Sequence, residues 1–180
     1  ASWRIMTFTC YWLPDLMSYK DYPNIDVFDD AVYKVFKRDF IDSSPNFNGM
    51  IVKIKYRPYH DGKEEAYFHL TSKDYYHGPS RDIDVFRCER ISWVRKFIEN
   101  YDCNKQICKE CAGMKMWSQP YKNTVRIKIL LYEEKYLVIL EKRKDYYLLI
   151  TAYYVDQKHR LEALVNEYNK TKSDSQVRKK

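Results

Sequence analysis

The stretch from residue 125 to 155 constrains this chain most. Val125, Ile127, Ile129 and Leu131 alternate with Arg126 and Lys128. Residues 136–140 (YLVIL) are apolar on both sides, and residues 146–155 are strand-like again. Period-two alternation marks a strand with one buried face. A run that is apolar on both sides must be covered on both sides, so residues 136–140 are expected to form a central strand. Glu133-Glu134 and Lys144-Asp145 supply the turns, so the three strands are expected to pair antiparallel.

The rest of the chain must cover this sheet. Residues 25–41 carry Val27, Phe28, Ala31, Val32, Val35 and Phe36 at helical spacing, with Asn24 or Asp26 as cap and Asp29 and Asp30 in the first turn. Residues 50–57 and 66–71 both alternate, and Asp61-Gly62 between them is a tight-turn signal, so a β-hairpin is expected there. Residues 75–84 read as a loop around Gly78-Pro79-Ser80. Residues 86–100 form the second helix, with Ile91, Val94 and Ile98 as its stripe and Trp93 and Phe97 beside it. Residues 101–123 read as an irregular insertion, and residues 158–168 as a short helix. The expected fold is α+β: an N-terminal helix and a mostly antiparallel sheet of about five strands, with helices on one face. Residues 1–24 form an extension, 25–170 a single domain, and 171–180 a basic flexible tail.

A chain of 180 residues has room for one domain with a sizeable core. With 45% apolar residues and only 4 Gly it is neither collagen-like nor disordered as a whole. It holds no apolar run long enough for a membrane span. Residues 5–13 are apolar but broken by two Thr and followed by no small-x-small cleavage site, so no signal peptide is expected and the expected location is the cytoplasm. The five cysteines are an odd number and suit reduced thiols better than a disulfide framework. Cys103, Cys108 and Cys111 have the spacing of three zinc ligands, but no second C-x-x-C completes a set; no metal and no cofactor is expected. The formal charge is +7 and Tyr occurs 18 times. A basic surface rich in flat rings suits nucleic acid.

On the strand reading, one sheet face collects Lys53, Lys55, Arg57, Tyr67, His69 and Thr71 from the hairpin, Arg126 and Lys128 from the next strand, and Tyr147, Thr151 and Tyr153 from the last. An imidazole can move protons near neutral pH. Arginines grip phosphate bidentately and tyrosines stack on bases. That inventory matches what phosphodiester cleavage of RNA needs without a metal. The plainer alternative is a solvated polar face with a structural histidine; His60, His77 and His159 fall in turn or surface contexts. Arg87 and Arg90 are three apart, as are Arg90 and Trp93, so both arginines sit beside the apolar stripe as a phosphate clamp, a buried ion pair with Glu89 or Asp84, or stems laid along the core.

Phe68-His69-Leu70-Thr71, Arg87-Cys88-Glu89-Arg90-Ile91-Ser92-Trp93, residues 136–140 and Thr151-Ala152-Tyr153 occur in this order. The set resembles the phage-type branch of the barnase–EndoU–colicin–RelE-like ribonuclease superfamily, over roughly residues 27–168. The resemblance implies a toxin-like, metal-independent RNA endonuclease in which the 2′-OH attacks and a 2′,3′-cyclic phosphate is left. By the same resemblance His69, Arg90, Thr151 and Tyr153 are site residues and Arg87 and Arg126 phosphate contacts, with Lys53, Lys55 and Lys128 as further cations. Glu89 and Glu141 are the candidates for a carboxylate base. Expected partners are RNA (tRNA or mRNA) and an acidic antitoxin or immunity protein. The alternative is a nucleic-acid-binding module of phage or mobile-element origin that does no chemistry.

Overall fold

The computed structural model describes residues 10–73, 81–104 and 111–177. It is α+β, as expected. Helix α1 (Ile25–Phe40) begins at Asn24, whose side chain accepts from the Val27 amide, and buries Phe28, Val32, Phe36 and Phe40 along one stripe. Strands β1 (Asn46–Phe47) and β2 (Met50–Lys53) follow, then helices α2 (Glu65–Thr71), α3 (Val85–Glu89) and α4 (Ile91–Glu99). Strands β3 (Lys115–Tyr121), β4 (Thr124–Leu131), β5 (Tyr136–Lys142) and β6 (Tyr147–Tyr154) form an antiparallel meander, and α5 (Lys158–Val177) closes the chain.

The sheet has six strands in the order β1-β2-β6-β5-β4-β3, and β2 joins β6 in parallel. It is therefore mixed, with one parallel pair where five mostly antiparallel strands were expected. Strand β5 is central as its sequence requires. Tyr136, Val138 and Leu140 enter the core formed with α1, α2 and α4, while Leu137 and Ile139 enter a second cluster with Trp117, Leu130, Val155 and Leu161. That second cluster lies under α5, whose Leu161, Leu164, Val165 and Tyr168 recur at helical spacing. The helices consequently cover both faces, not one.

Three local expectations are corrected. Residues 66–71 are helical, so no hairpin forms. The Asp61-Gly62 turn does form, with positive φ at both residues, but it closes only the His60–Lys63 bridge. Every residue of α2 except His69 is buried, and a segment buried all round carries no informative periodicity. The first amides of α2 donate outside the helix, Glu65 N to Tyr56 O at 3.1 Å and Ala66 N to Lys55 O at 2.9 Å. The helix expected over residues 86–100 is broken at Arg90, which ends α3 and opens α4. The insertion at 101–123 contains edge strand β3, whose Pro120 is tolerated there because an edge needs no donor on its outer side.

The described parts of the expected extension and tail have structure of their own. Residues 10–24 pack on the domain: Trp93 Nε1 donates to Pro14 O at 2.8 Å and Met17 N to Glu89 O at 3.0 Å. Helix α5 runs on to Val177, through much of the expected tail. No described helix is long and apolar enough to cross a membrane.

A buried polar knot joins α1 to α2. Asp29 accepts from Tyr67 Oη at 2.6 Å, Lys63 Nζ at 2.7 Å and Arg81 Nη1 at 2.7 Å. Arg81 also donates to Thr71 Oγ1, and to Ser72 Oγ at 2.9 Å. Burial works to raise the Asp29 pKa, but the three donors outweigh it and hold the carboxyl below its ordinary 3.8. A depressed carboxyl stabilises the fold fully above that ordinary value and ceases to do so as pH falls through the folded-state value. Asp29→Ala should cost about 3 kcal/mol at pH 7 by stranding Arg81 and Tyr67. The gap between variant and wild type, measured by urea unfolding, should narrow as the pH drops below 3.8.

Candidate active site

Strand β2 pairs with β6 only at Tyr147 and Leu148, and α2 packs against β6 beyond that point. The last carbonyls of a helix need outside donors. For α2, the His69 carbonyl accepts from Thr151 Oγ1 on β6 and from Arg87 Nη1 on α3, each at 3.0 Å. Three segments distant in sequence thereby meet at His69. Arg87 is held by Asp84 Oδ2 at 3.3 Å, and its guanidinium lies 5.2 Å from the ring centre of Tyr153. Burial pushes the Tyr153 phenol upward, against the opposing charge of Arg87, so it stays protonated at neutral pH.

The His69 side chain is 38% exposed and opens onto a cleft of about 860 Å³. Behind it lies Glu65, one helical turn earlier and 7% exposed, with Oε1 3.3 Å from His69 Nε2. The same carboxylate meets Lys55 Nζ at 3.4 Å, and its Oε2 lies 3.4 Å from His60 Nε2. Burial works to raise the Glu65 pKa, but Lys55 and His69 outweigh it, so the group is held below its ordinary 4.5.

The cleft lining also holds a two-arginine clamp. Buried Glu141 meets Arg126 Nε at 3.3 Å and Arg143 Nη2 at 2.6 Å. Arg126 is further fixed over the Tyr121 ring, 3.7 Å from its centre. One carboxylate thus holds two guanidiniums in the lining of the cleft that His69 also lines, and paired guanidiniums suit the non-bridging oxygens of a phosphate.

Of the residues picked out in the sequence, His69, Thr151, Arg87, Arg126 and Lys55 line this one cleft, and Tyr153 adjoins it through Arg87. Lys53 is exposed over Tyr146, a cleft residue, at 4.6 Å. The others lie elsewhere. Lys128 is bound to Glu167 at 2.9 Å beneath α5. Arg90 lies outside the cleft among Tyr154, Trp93 and Phe86, at 4.6, 5.2 and 5.8 Å. Tyr67 and Thr71 are buried in the Asp29 knot, not on a sheet surface. Tyr147 enters the α1–α4 core. A bulge at Ile150, where Ile139 faces Thr151 but Leu140 faces Leu149, turns Thr151 and Tyr153 to the other side. The Thr151 hydroxyl donates to the His69 carbonyl and so ties β6 to α2.

Of the two carboxylates considered as base, Glu141 forms the clamp, while Glu89 accepts from the Tyr19 amide at 3.0 Å, outside the cleft. Glu65 and Arg143 escaped the sequence reading. The Glu65–His69 pair is visible only once the segment is read as helix, where residues four apart touch. His77 and Cys108 lie outside the described residues. Cys103 accepts from Trp12 Nε1 at 3.4 Å and Cys111 is buried; among the described residues no cluster suits a metal ion. No protein-family model, curated protein or solved structure matches the chain.

Two changes test the geometry. Lys55→Met should raise the Glu65 titration toward 4.5, read by carboxyl carbon NMR; an unmoved titration would contradict the pairing. Thr151→Val should destabilise the fold by about 1 kcal/mol and shift the His69 backbone resonances.

Proposed function

We propose that the chain is a metal-independent RNA endonuclease of the barnase–EndoU–colicin–RelE-like kind and that the His69 cleft is its active site. The observation that carries this reading is the convergence of His69, backed by Glu65, with Arg87 and the Arg126–Arg143 clamp around one cleft. Buried Glu65 orients the His69 ring, as a carboxylate behind a catalytic imidazole does. His69 takes the proton of the ribose 2′-OH. The 2′-oxygen attacks the neighbouring phosphorus, the bond to the 5′-oxygen breaks, and that oxygen is protonated from solvent. Arg126 and Arg143 hold the charge that builds on the phosphoryl oxygens, and Arg87 the oxygens on the other side. The products carry a 2′,3′-cyclic phosphate and a free 5′-OH.

The reading brings its partners with it. The substrate is tRNA or mRNA, met in the cytoplasm. A toxin-like enzyme of this sort needs an acidic antitoxin or immunity protein, and the +7 charge and the cationic rim of the cleft supply the complementary surface.

Purified protein with total RNA in EDTA should produce fragments ending in 2′,3′-cyclic phosphate, identified by mass spectrometry. His69→Ala should slow this by roughly 100-fold or more. RNA left intact from pH 5 to 9, or cut equally well by His69→Ala, overturns the assignment. Salt-sensitive binding without cutting would instead select the binding-module alternative.

A further inference from the structure

Arg87 is a shared wall. Beyond it, at the end of β6 between α3 and the start of α5, lies a second cleft of about 420 Å³. Its lining combines three cations, Lys73, Arg87 and Arg160, and two carboxylates, Asp84 and Asp156, with the rings of Phe86, Tyr153 and Tyr154. Phe86 is 57% exposed, yet it is firmly placed. Its ring stacks on Tyr154 at 5.9 Å with 18° between the planes. Arg90 Nη1 donates to the Phe86 carbonyl at 3.0 Å, and the Arg90 guanidinium lies 4.6 Å from the Tyr154 ring centre. This accounts for the place of Arg90: it positions an aromatic pair and does not face the cleavage cleft. With Tyr154 stacked against it and Arg90 5.8 Å from its centre, the Phe86 ring still keeps more than half of its surface open to solvent.

An isolated exposed Phe needs no explanation. A held ring beside three cations does, because the combination of a π-face and phosphate donors is what a nucleotide presents the complement of. Asp84 engages Arg87 at 3.3 Å and Lys73 at 4.0 Å, which spaces these two cations along the cleft.

We propose that this second cleft is a nucleotide subsite: the base next to the cleavage position, unpaired, stacks on Phe86, and its phosphate lies between Lys73, Arg87 and Arg160. The inference rests on the endonuclease reading for its place along the strand. It adds that the substrate is single-stranded where it crosses Arg87, since only an unpaired base offers its face.

The test uses the full chain and a 2′-O-methyl hexanucleotide, which cannot be cut because its 2′-oxygen carries no proton. Affinity is read by fluorescence anisotropy at one fixed salt concentration. Phe86→Leu keeps an apolar side chain against Tyr154 but offers no ring, and should raise Kd about tenfold. Phe86→Trp should restore binding. Lys73→Gln should lower the slope of log affinity on log salt by about one phosphate contact. Phe86→Leu binding as tightly as wild type, or a wild-type chain that does not bind the oligomer, overturns the subsite. Ring-dependent binding by a chain that cuts no RNA upholds the subsite and overturns the endonuclease reading. Cleavage together with ring-independent binding does the reverse.

Discussion

The arrangement depends on keeping α2 in place. Seven residues make two turns, too few to persist alone in water, so this helix exists because its surroundings hold it. Asp29 grips it through Tyr67, and Arg81 through Thr71. The carbonyls of Lys55 and Tyr56 receive its first amides, and Thr151 and Arg87 cap the carbonyl of His69. Each contact joins α2 to another segment through a polar group that is at least partly buried on the α2 side, and losing one partner leaves the other uncompensated. The orientation of the imidazole is inherited from this network.

The sheet contributes the rest of the cleft lining. Because β5 is apolar on both sides, helices must cover both faces, and α5 supplies the second cover. The bulge at Ile150 then decides which way the end of β6 points. Without it Thr151 would share a side with Leu149 and enter the core. With it, Thr151 reaches α2 and Tyr153 passes under Arg87. One extra residue in one strand therefore converts a packing strand into a site-forming one.

Helix α1 and strands β4 to β6 were legible in the sequence because each has one face to bury, or, for β5, two, and the pattern states it. Helix α2 was not legible, since a short element buried all round shows the same residues in every direction. Strand β3 was hidden by Pro120 and by its single buried aromatic, Trp117. The site followed the same logic. His69, Arg87 and Thr151 could be picked out by residue type, whereas Glu65 required the correct local geometry: in a strand it would stand about 13 Å from His69, in a helix it touches it. Arg90 was placed correctly beside Trp93, but the break between α3 and α4 parts it from the cleft that Arg87 lines.

The pairing of charges explains how so basic a cleft is tolerated. Arg126, Arg143, Arg87 and Lys55 would repel one another if left unpaired, and each instead leans on a buried carboxylate: Glu141, Asp84 or Glu65. Pairs like these, a buried carboxylate with a partly exposed cation, set attraction against desolvation and add little net stability. Their effect here is geometric, because a guanidinium fixed along one edge by a carboxylate still offers its remaining N–H donors to an incoming anion. The two arginines and Glu141 together carry one net positive charge. An anionic ligand therefore meets a cleft whose reorganisation was completed when the chain folded, which is the condition under which electrostatic stabilisation of a developing charge is most effective.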